Sequence, residues 1–248
     1  MPRITTHNLC KYFVDNKKKV ATAALYNAEA DMPDKSFTVI MGKSGCGKTT
    51  LLRTLAGLVR PDDGQILFDE TDVTDKTSAE RNVSYLSQEF ALYPHLTVFD
   101  NVAYPLKLQR VPAEEIRRRV DETCKLVGMA QLTSRRPRQL SGGQQQRVAM
   151  ARALVKRPEI IFMDEPMSKL DRNLRAEMSA LLARLHKTLD VNIVYVTHNI
   201  NEARALADYV IAMDNGMVVQ QGAASEVLSD SNGFVIQNLT EKTIETLI

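Results

Sequence analysis

Apolar and polar residues alternate along the N-terminal part of the chain. Residues 3–14 and 20–30 show the two-residue period of β-strands, and the polar run 15–19 between them predicts a hairpin turn. Shorter strands are predicted at Gln65–Phe68 and Val83–Ser87. Because a hairpin pairs its strands antiparallel, the pattern predicts an N-terminal antiparallel β-subdomain.

Three later segments are almost continuously apolar. They are Phe37–Met41, Glu159–Met163 and Val191–Val196. An amphipathic helix is predicted between the last two, at about 171–189, and short strands follow near 209–214 and 218–220. Apolar strands that alternate with helices indicate a mainly parallel sheet, so we expect an α/β fold.

A helical block interrupts this α/β pattern. From about Val98 to Met129 the apolar residues follow a helical period, with breaks predicted at Pro105 and Pro112. After a basic loop, another helix is predicted at Gln144–Lys156. The block predicts an inserted α-helical subdomain at about residues 90–156.

Charge and cysteine content narrow the class of protein. The net charge of the 248 residues is +2, which argues against a nucleic-acid binder. Three cysteines, Cys10, Cys46 and Cys124, lack the spacing of a disulfide framework and predict a reducing compartment. No signal peptide and no membrane-spanning run is expected, so any work at a membrane requires docking on a spanning partner.

A phosphate-binding motif lies between the apolar run 37–41 and a predicted helix at 49–56. It fits G-x-x-x-x-G-K-[ST] with the residues Gly42, Lys43, Ser44, Gly45, Cys46, Gly47, Lys48 and Thr49, and Thr50 follows. Backbone N–H groups and the helix start favour phosphate, Lys48 would reach the β- and γ-phosphates of ATP, and Thr49 would bind Mg²⁺. A chance glycine-rich turn is the alternative, which the flanking strand and helix disfavour.

Two carboxylates end the apolar strand at 160–163. Asp164 can hold the Mg²⁺ shell at the C-terminal end of a strand, and Glu165 can act as the general base on the attacking water. An apolar strand that ends in Asp-Glu is often structural. The phosphate motif upstream favours the catalytic role.

A second glycine-rich site opens the helix predicted at 144–156. It consists of Leu140, Ser141, Gly142, Gly143 and Gln144, and its serine and helix N-terminus form an anion site. One ATP has one γ-phosphate, which the first motif already holds. A second anion site on the same chain therefore indicates that it serves the ATP of a partner in a head-to-tail dimer.

Leu-Ser-Gly-Gly-Gln resembles the signature of ATP-binding cassette (ABC) ATPases, and the resemblance extends over about residues 3–225. It implies an α/β P-loop NTPase core with the two subdomains above. It also implies an ATPase domain at 1–225 and a tail at 226–248. The chain stops about 25 residues after Gly222, so the regulatory β-domain of sugar importers is expected to be absent.

The resemblance assigns roles to four further positions. Gln88 resembles the glutamine that touches Mg²⁺ and links nucleotide to membrane partner, and Ser168–Asp171 resembles the D-loop at the dimer interface. His198 resembles the switch histidine on the γ-phosphate, although a lone histidine is more often structural. Phe13, or alternatively Tyr12, resembles the aromatic that stacks on adenine, although an aromatic in a strand is usually core.

Some positions depart from the usual family pattern. Asp34–Ser36 replaces the common Gly-Glu turn, Met167 and Lys169 are unusual near the D-loop, and Phe13 stands where tyrosine is commoner. None of these removes a catalytic group. The site is therefore expected to hydrolyse ATP.

The segment 88–98 resembles the surface that receives transmembrane permease subunits. The sequence at 93–98, Tyr-Pro-His-Leu-Thr-Val, resembles that of ATPase subunits from bacterial importers of sugars, polyamines, iron or oxyanions. The short C-terminal part of the chain resembles that of nitrate-, sulfonate- or taurine-type subunits. A packed loop is the plain alternative. The resemblance implies a homodimer on the cytoplasmic face of the membrane, working indirectly with a solute-binding protein.

Two other functions fit the sequence less well. The importer-like sequence at 93–98 argues against an exporter or lipid-handling ATPase. A soluble ABC protein that acts on ribosomes or DNA usually has tandem cassettes or a long coiled-coil insertion, and the chain shows one cassette, no heptad run and near-neutral charge.

Overall fold

The computed structural model of the chain describes residues 1–15 and 20–239. Most of the hairpin turn predicted at 15–19 lies outside the described residues, as does the end of the tail, 240–248. The strands predicted on both sides of the turn are present and pair antiparallel.

A six-stranded sheet forms the centre of the fold, in the order β11-β10-β4-β9-β8-β7. Its strands are β4 (Phe37–Gly42), β7 (Val83–Leu86), β8 (Ile160–Asp164), β9 (Asn192–Val196), β10 (Tyr209–Asp214) and β11 (Met217–Ala223). Neighbouring strands are parallel except for β11, which pairs antiparallel with β10. Every residue of β4, β8 and β9 is buried, which explains their continuous apolar sequences.

An antiparallel sheet lies against the same core. Its strands are β1 (Ile4–Asp15), β2 (Val20–Ala28), β3 (Asp31–Met32), β5 (Asp63–Phe68) and β6 (Thr71–Asp72). The order is β2-β1-β5-β6, with β3 paired to β1. The sheet predicted from the N-terminal hairpin therefore also includes strands that follow the phosphate motif. The two-residue strands β3 and β6 are too short to show an alternation in the sequence.

Helix α1 (Lys48–Leu55) connects the two sheets. It contacts β2 of the antiparallel sheet and β4, β8 and β9 of the parallel sheet. Leu51, Leu52 and Leu55 are fully buried in the core cluster that both sheets share. At its C-terminal end the guanidinium of Arg81 donates hydrogen bonds to the carbonyls of Thr54 and Leu55, which satisfies groups that a helix end leaves unpaired.

The helical block contains α2 (Val98–Leu108), α3 (Ala113–Leu126), two short 3₁₀ turns (Ala130–Leu132 and Pro137–Gln139) and α4 (Gly142–Leu154). The break predicted at Pro105 is wrong, because α2 runs through it. Pro105 lies in the last turn of α2, where it costs the helix one hydrogen bond while its carbonyl still accepts from the Gln109 N–H. Pro112 does mark a break, at the start of α3. The helices pack on one another, which supports the inserted subdomain that we propose for residues 90–156.

Four helices complete the fold: α5 (Arg172–Thr188), α6 (Ile200–Leu206), α7 (Ala224–Val227) and α8 (Phe234–Leu239). Helix α7 crosses the proposed boundary at 226 and α8 lies within the tail proposed at 226–248, and Val227 and Val235 bury their side chains in the core. Over residues 1–15 and 20–239, no helix has the length and the apolar character needed to span a bilayer.

Candidate nucleotide-binding site

The phosphate loop, residues 42–49, joins β4 to α1 at the C-terminal edge of the parallel sheet. Gly47 has a φ of 106°, a conformation that residues with a side chain rarely adopt. A Cβ at this position would lie 2.3 Å from the carbonyl oxygen of Ala24. The loop therefore needs glycine both for its backbone conformation and for its contact with β2.

The ammonium group of Lys48 lies inside this loop. Its Nζ donates to the carbonyl oxygens of Gly42 and Lys43, each at 2.8 Å, and the residue is only 6% exposed. In the part of the chain that the structure describes, Lys48 forms no ion pair. A buried cation without a counter-charge favours an anionic ligand in the loop.

Asp164 at the end of β8 lies opposite the start of α1. Its Oδ1 accepts a hydrogen bond from the Thr49 hydroxyl at 2.9 Å, and its Oδ2 accepts from the Tyr85 hydroxyl at 2.8 Å. Burial and the neighbouring Asp164 carboxylate raise the pKa of Tyr85 to about 12, so this phenol remains a donor at physiological pH. The two oxygens of Asp164 are thus oriented by residues on two different elements.

Glu165 begins the loop after β8 in a left-handed conformation, with a φ of 44°. Such a conformation in a non-glycine residue is strained and is often found at functional sites. The Glu165 N–H donates to the carbonyl of Val196 at 3.1 Å, and Oε1 lies 3.4 Å from Nδ1 of His198. The end of β8 therefore meets the loop after β9, which brings the two predicted catalytic residues together.

Two adjoining cavities surround the phosphate loop. One, of about 560 Å³, is lined mainly by residues from the loop, the end of β8, the start of α6 and the end of α8: Gly42, Lys43, Ser44, Lys48, Glu165, His198, Asn199, Ile200, Asn201, Asn238 and Leu239. The other, of about 370 Å³, is lined by Ala24, Ser44, Gly45, Gly47, Lys48, Thr49, Thr50, Gln88, Asp164 and Glu165. Both share Ser44, Lys48 and Glu165. The structure thus brings the loop together with Gln88, Asp164, Glu165 and His198.

Gln88 and the predicted D-loop, residues 168–171, are linked by hydrogen bonds. The amide Nε2 of Gln88 donates to the Ser168 hydroxyl at 3.3 Å, and that hydroxyl donates to the carbonyl of Glu165 at 2.9 Å. Asp171 caps α5, where its carboxylate accepts from the Leu174 N–H at 2.9 Å. Asp171 lines neither of the two cavities, so the structure does not bring it to the phosphate loop of its own chain.

The second glycine-rich site forms the start of α4. The Ser141 hydroxyl accepts from the Gln144 N–H at 3.3 Å, and the Gln144 side chain accepts from the Ser141 N–H at 3.0 Å. This capping box defines the helix start. None of the described residues 141–144 lines either of the two cavities. The second glycine-rich site therefore lies apart from the phosphate loop of the same chain.

The two aromatic residues of β1 are both exposed, Tyr12 at 40% and Phe13 at 49%. Successive residues of a strand point to opposite faces. Lys11 shares the face of Phe13, since its Nζ lies 5.8 Å from the ring centroid, and Lys11 pairs with Leu25 of β2. The Leu25 side chain packs beside Gly47, 3.5 Å from the position of an added Cβ. The pairing of β1 with β2 is irregular on both sides of Lys11, and neither Tyr12 nor Phe13 lines the two cavities, so the structure brings neither aromatic to the phosphate loop.

The loop at 88–98 is partly packed. Phe90 and Tyr93 are half-buried, and the Tyr93 ring packs against Tyr104 in a tilted arrangement with 4.6 Å between the ring centroids. The guanidinium of Arg152 on α4 donates to the carbonyls of Phe90 and Ala91 at 2.9 and 2.8 Å. The loop is therefore held by the helix that carries the second glycine-rich site, while Ala91, Pro94 and His95 remain exposed.

Sequence reasoning missed a buried polar cluster behind His198. It contains Arg175 of α5, Tyr195 of β9, Thr197 and Glu202 of α6, with Glu202 only 7% exposed. The seven-residue helix α6 was not predicted, so nothing in the sequence placed Glu202 beside the end of β9. A glutamate four residues after a candidate histidine was the available signal.

The geometry defines a class of protein. A glycine-rich loop between a buried parallel strand and a helix, with a carboxylate at the end of another strand, is the phosphate site of a P-loop nucleotidase. Residues 25–168 match the family described as "ABC transporter", and the chain belongs to that family.

Comparison with known proteins shows similarity to ATP-binding subunits. The chain is 40% identical to the Fe(3+) ions import ATP-binding protein FbpC of Photobacterium profundum, over 95% of this chain and 65% of that protein. It is 44% identical to the spermidine/putrescine import ATP-binding protein PotA of Marinobacter nauticus, over 90% of this chain and 58% of that protein. The chain therefore spans less than two thirds of the length of these relatives.

Solved structures show the same fold. The ATP-binding cassette MJ0796, as a dimer in a post-hydrolysis state bound to ADP and Pi, aligns with a TM-score of 0.78 and 32% identity, over 89% of this chain and 98% of that one. The cbiO1 protein of Clostridium perfringens, part of the ABC transporter complex cbiONQ, aligns with a TM-score of 0.82 and 28% identity, over 100% and 99%. The predicted α/β P-loop fold is confirmed.

Proposed function

We propose that this chain is the ATP-hydrolysing subunit of a membrane importer. The observation that carries the proposal is the meeting of Thr49, Asp164 and Glu165 at one phosphate loop. Relatives at 40% and 44% identity are described as import ATP-binding proteins, which supports import over export. The solutes in the names of relatives include iron ions, polyamines, trehalose or maltose, and glycerol 3-phosphate, so the proposal extends to small solutes as a class.

The phosphate loop would hold the triphosphate of ATP. The N–H groups of residues 42–50 and the start of α1 favour an anion, and Lys48 supplies the matching charge. Thr49 and Asp164 fit Mg²⁺, because both present oxygen atoms 2.9 Å apart at the edge of the loop. Gln88 lines the same cavity and would be the third residue to hold Mg²⁺. When bound, Mg²⁺ neutralises charge on the phosphates.

Glu165 and His198 would together promote the hydrolysis of ATP. Glu165 lines both cavities, which places its carboxylate where it can accept a proton from a water that attacks the γ-phosphate. His198, 3.4 Å from Glu165 and with a side chain 66% exposed, can donate a hydrogen bond to the γ-phosphate and fix its position. Catalysis of this kind rests on positioning and on stabilising developing charge.

A second copy of the chain would complete each site. Ser141, Gly142, Gly143, Gln144 and Asp171 do not line the cavities at their own phosphate loop, which supports a role for them at a partner's nucleotide. The dimeric form of the similar cassette MJ0796 supports this arrangement. We propose a head-to-tail homodimer that closes on ATP and opens after hydrolysis.

The permease would dock on the loop at 88–98, at the cytoplasmic face of the membrane. Its exposed residues Ala91, Pro94 and His95 follow Gln88 in the chain, and Arg152 of α4 donates hydrogen bonds to the carbonyls of Phe90 and Ala91. Movement at the nucleotide could therefore reach a membrane partner through Gln88. An extracytoplasmic solute-binding protein would act through that permease.

Co-purification with an ATPase assay tests the proposal. The tagged chain is extracted from membranes of its host in mild detergent, and its partners are identified by mass spectrometry. Multi-spanning subunits together with ATP hydrolysis would support a transport ATPase, and a co-purified solute-binding protein would indicate import. Ribosomes or DNA-repair proteins in their place would contradict transport, while absence of hydrolysis in the complex would contradict the ATPase.

We expect Phe13→Ala to raise the Kd for ATP about tenfold, because base–aromatic stacking contributes about 1–3 kcal/mol. Tyr12→Ala is the matched control, since Tyr12 is the neighbouring aromatic residue of β1 with a similar exposure, and it should leave the Kd unchanged. Titration with a fluorescent ATP analogue measures both. A larger effect of Tyr12→Ala would assign the stacking residue to Tyr12.

A further inference from the structure

Behind the candidate site, the buried carboxylate of Glu202 joins three elements. Its Oε2 accepts hydrogen bonds from the Tyr195 hydroxyl at 2.7 Å and from the Thr197 hydroxyl at 2.8 Å. Its Oε1 lies 3.5 Å from Nε of Arg175, whose Nη2 donates to the carbonyl of Leu170 at 3.0 Å. One carboxylate on α6 thereby connects β9 with the segment at 168–171.

Thr197 is the point where this cluster reaches the catalytic loop. It directly precedes His198, and its Oγ1 donates to Glu202 and accepts from the Asn199 N–H at 3.0 Å. The Asn199 side chain in turn caps α6, accepting from the Asn201 N–H at 2.9 Å. The residues on both sides of His198 are therefore held, while the imidazole itself is 66% exposed.

The other arm of the cluster reaches the segment behind Glu165. A small cavity of about 50 Å³ is lined by residues of both loops and of the cluster: Glu165, Ser168, Arg175, Thr197, His198, Asn199 and Glu202. Ser168 donates to the Glu165 carbonyl, and Arg175 holds the carbonyl of Leu170 two residues later. The carboxylate of Glu202 thus contacts both loops, one through Thr197 and the other through Arg175.

Burying a carboxylate is costly unless hydrogen bonds and a counter-charge compensate it. Burial and the nearby Glu202 carboxylate raise the pKa of Tyr195 well above its usual value, so the phenol stays protonated and keeps donating. The fold would lose little if an apolar residue replaced Glu202 and its partners together. Their placement under His198 therefore indicates a role in the site.

We propose that Glu202 is a positioning residue that fixes His198 through Thr197 and links it to the segment 168–171 through Arg175. This inference rests on the proposed ATPase function. It makes Glu202 act on the reaction without touching the nucleotide. The geometry of the histidine loop would then depend on the state of the segment that is proposed to face the partner.

Thr197→Val and Tyr195→Phe form a matched pair that tests the proposal. Each removes one hydroxyl that donates to the same oxygen of Glu202, and both side chains are buried. Only Thr197 connects to the histidine loop. We expect both variants to lower the melting temperature, but only Thr197→Val to lower kcat, by about tenfold with little change in KM, because misplacing a catalytic group reduces turnover.

Measurement of kcat, KM for ATP and melting temperature separates the outcomes. Equal kcat values in the two variants would overturn the positioning role of Glu202. In a His198→Ala background, Thr197→Val should cause no further loss, and an additive loss would also overturn it. If the unmodified chain in its membrane complex hydrolyses no ATP, the proposed function itself fails and this inference falls with it.

A second readout does not depend on turnover. The chain has four histidines, so the imidazole NMR signals can be assigned with His198→Ala. Thr197→Val should shift the His198 signal and leave those of His7 and His95 in place, while Tyr195→Phe should leave the His198 signal unchanged. An unshifted His198 signal in Thr197→Val would contradict the proposal even if kcat fell.

Discussion

We expect Glu165→Gln to lower the rate of ATP hydrolysis by about 10²–10⁴-fold and to leave ATP binding intact, because general base catalysis contributes about that factor. The amide has the shape of the carboxylate but accepts a proton poorly. The phosphate loop, Thr49 and Asp164 are unchanged, so the nucleotide should still bind. A dimer that closes on ATP and cannot hydrolyse it should accumulate.

The matched control is Glu159→Gln, which makes the same chemical change just before the opposite end of β8. Glu159 is exposed and lies at the other end of the strand from Asp164. The Glu159→Gln variant should therefore hydrolyse ATP at the rate of the unmodified chain. Single-turnover hydrolysis and size-exclusion chromatography with Mg²⁺-ATP measure the two effects. Hydrolysis by Glu165→Gln at the unmodified rate would remove Glu165 as the base.

The central fold follows from local sequence signals because its strands are buried on both faces. The apolar runs at β4, β8 and β9 predicted a parallel sheet, and the glycine pattern predicted the loop that follows β4. Burial and backbone conformation are encoded within a few residues at these positions. The family resemblance required the Leu-Ser-Gly-Gly-Gln motif as well, and the match to the family over residues 25–168 confirms it.

Other features depend on contacts between distant segments. Helix α2 continues through Pro105 because packing on α4 compensates a lost hydrogen bond, which a local rule does not include. The cluster around Glu202 requires α5, β9 and α6 to meet, so the spacing of His198 and Glu202 alone does not predict its contacts with Tyr195 and Arg175. The left-handed Glu165 is equally hidden, since glutamate has no preference for that conformation.

The phosphate loop and the second glycine-rich motif could each be predicted from the sequence. Their relative position in the folded chain could not. A single chain holds Ser141–Gln144 apart from its own phosphate loop. In the proposed dimer, the roles of these residues depend on a contact between two copies. A test of the dimer is therefore also a test of the predicted nucleotide site.

We expect two inactive variants to restore activity when mixed. Lys48→Ala removes the charge on the phosphates, and Gly142→Asp places a carboxylate at the start of α4. A Cβ at Gly142 meets nothing within 4 Å in its own chain, so the aspartate should repel a partner's ATP without disturbing the fold. Each variant alone forms dimers in which both sites are impaired.

In a head-to-tail dimer of the two variants, one site combines both defects and the other combines an intact phosphate loop with an intact second motif. Random pairing of equal amounts puts half of the chains in such mixed dimers, so about a quarter of all sites are intact and a similar fraction of activity should return. ATPase assays on the mixture measure this. The Lys48→Ala/Gly142→Asp double variant mixed with Gly142→Asp is the control, because no pairing of those chains contains an intact site. If the first mixture forms dimers and stays as inactive as the control, each nucleotide is served by one chain alone, and the composite site is wrong.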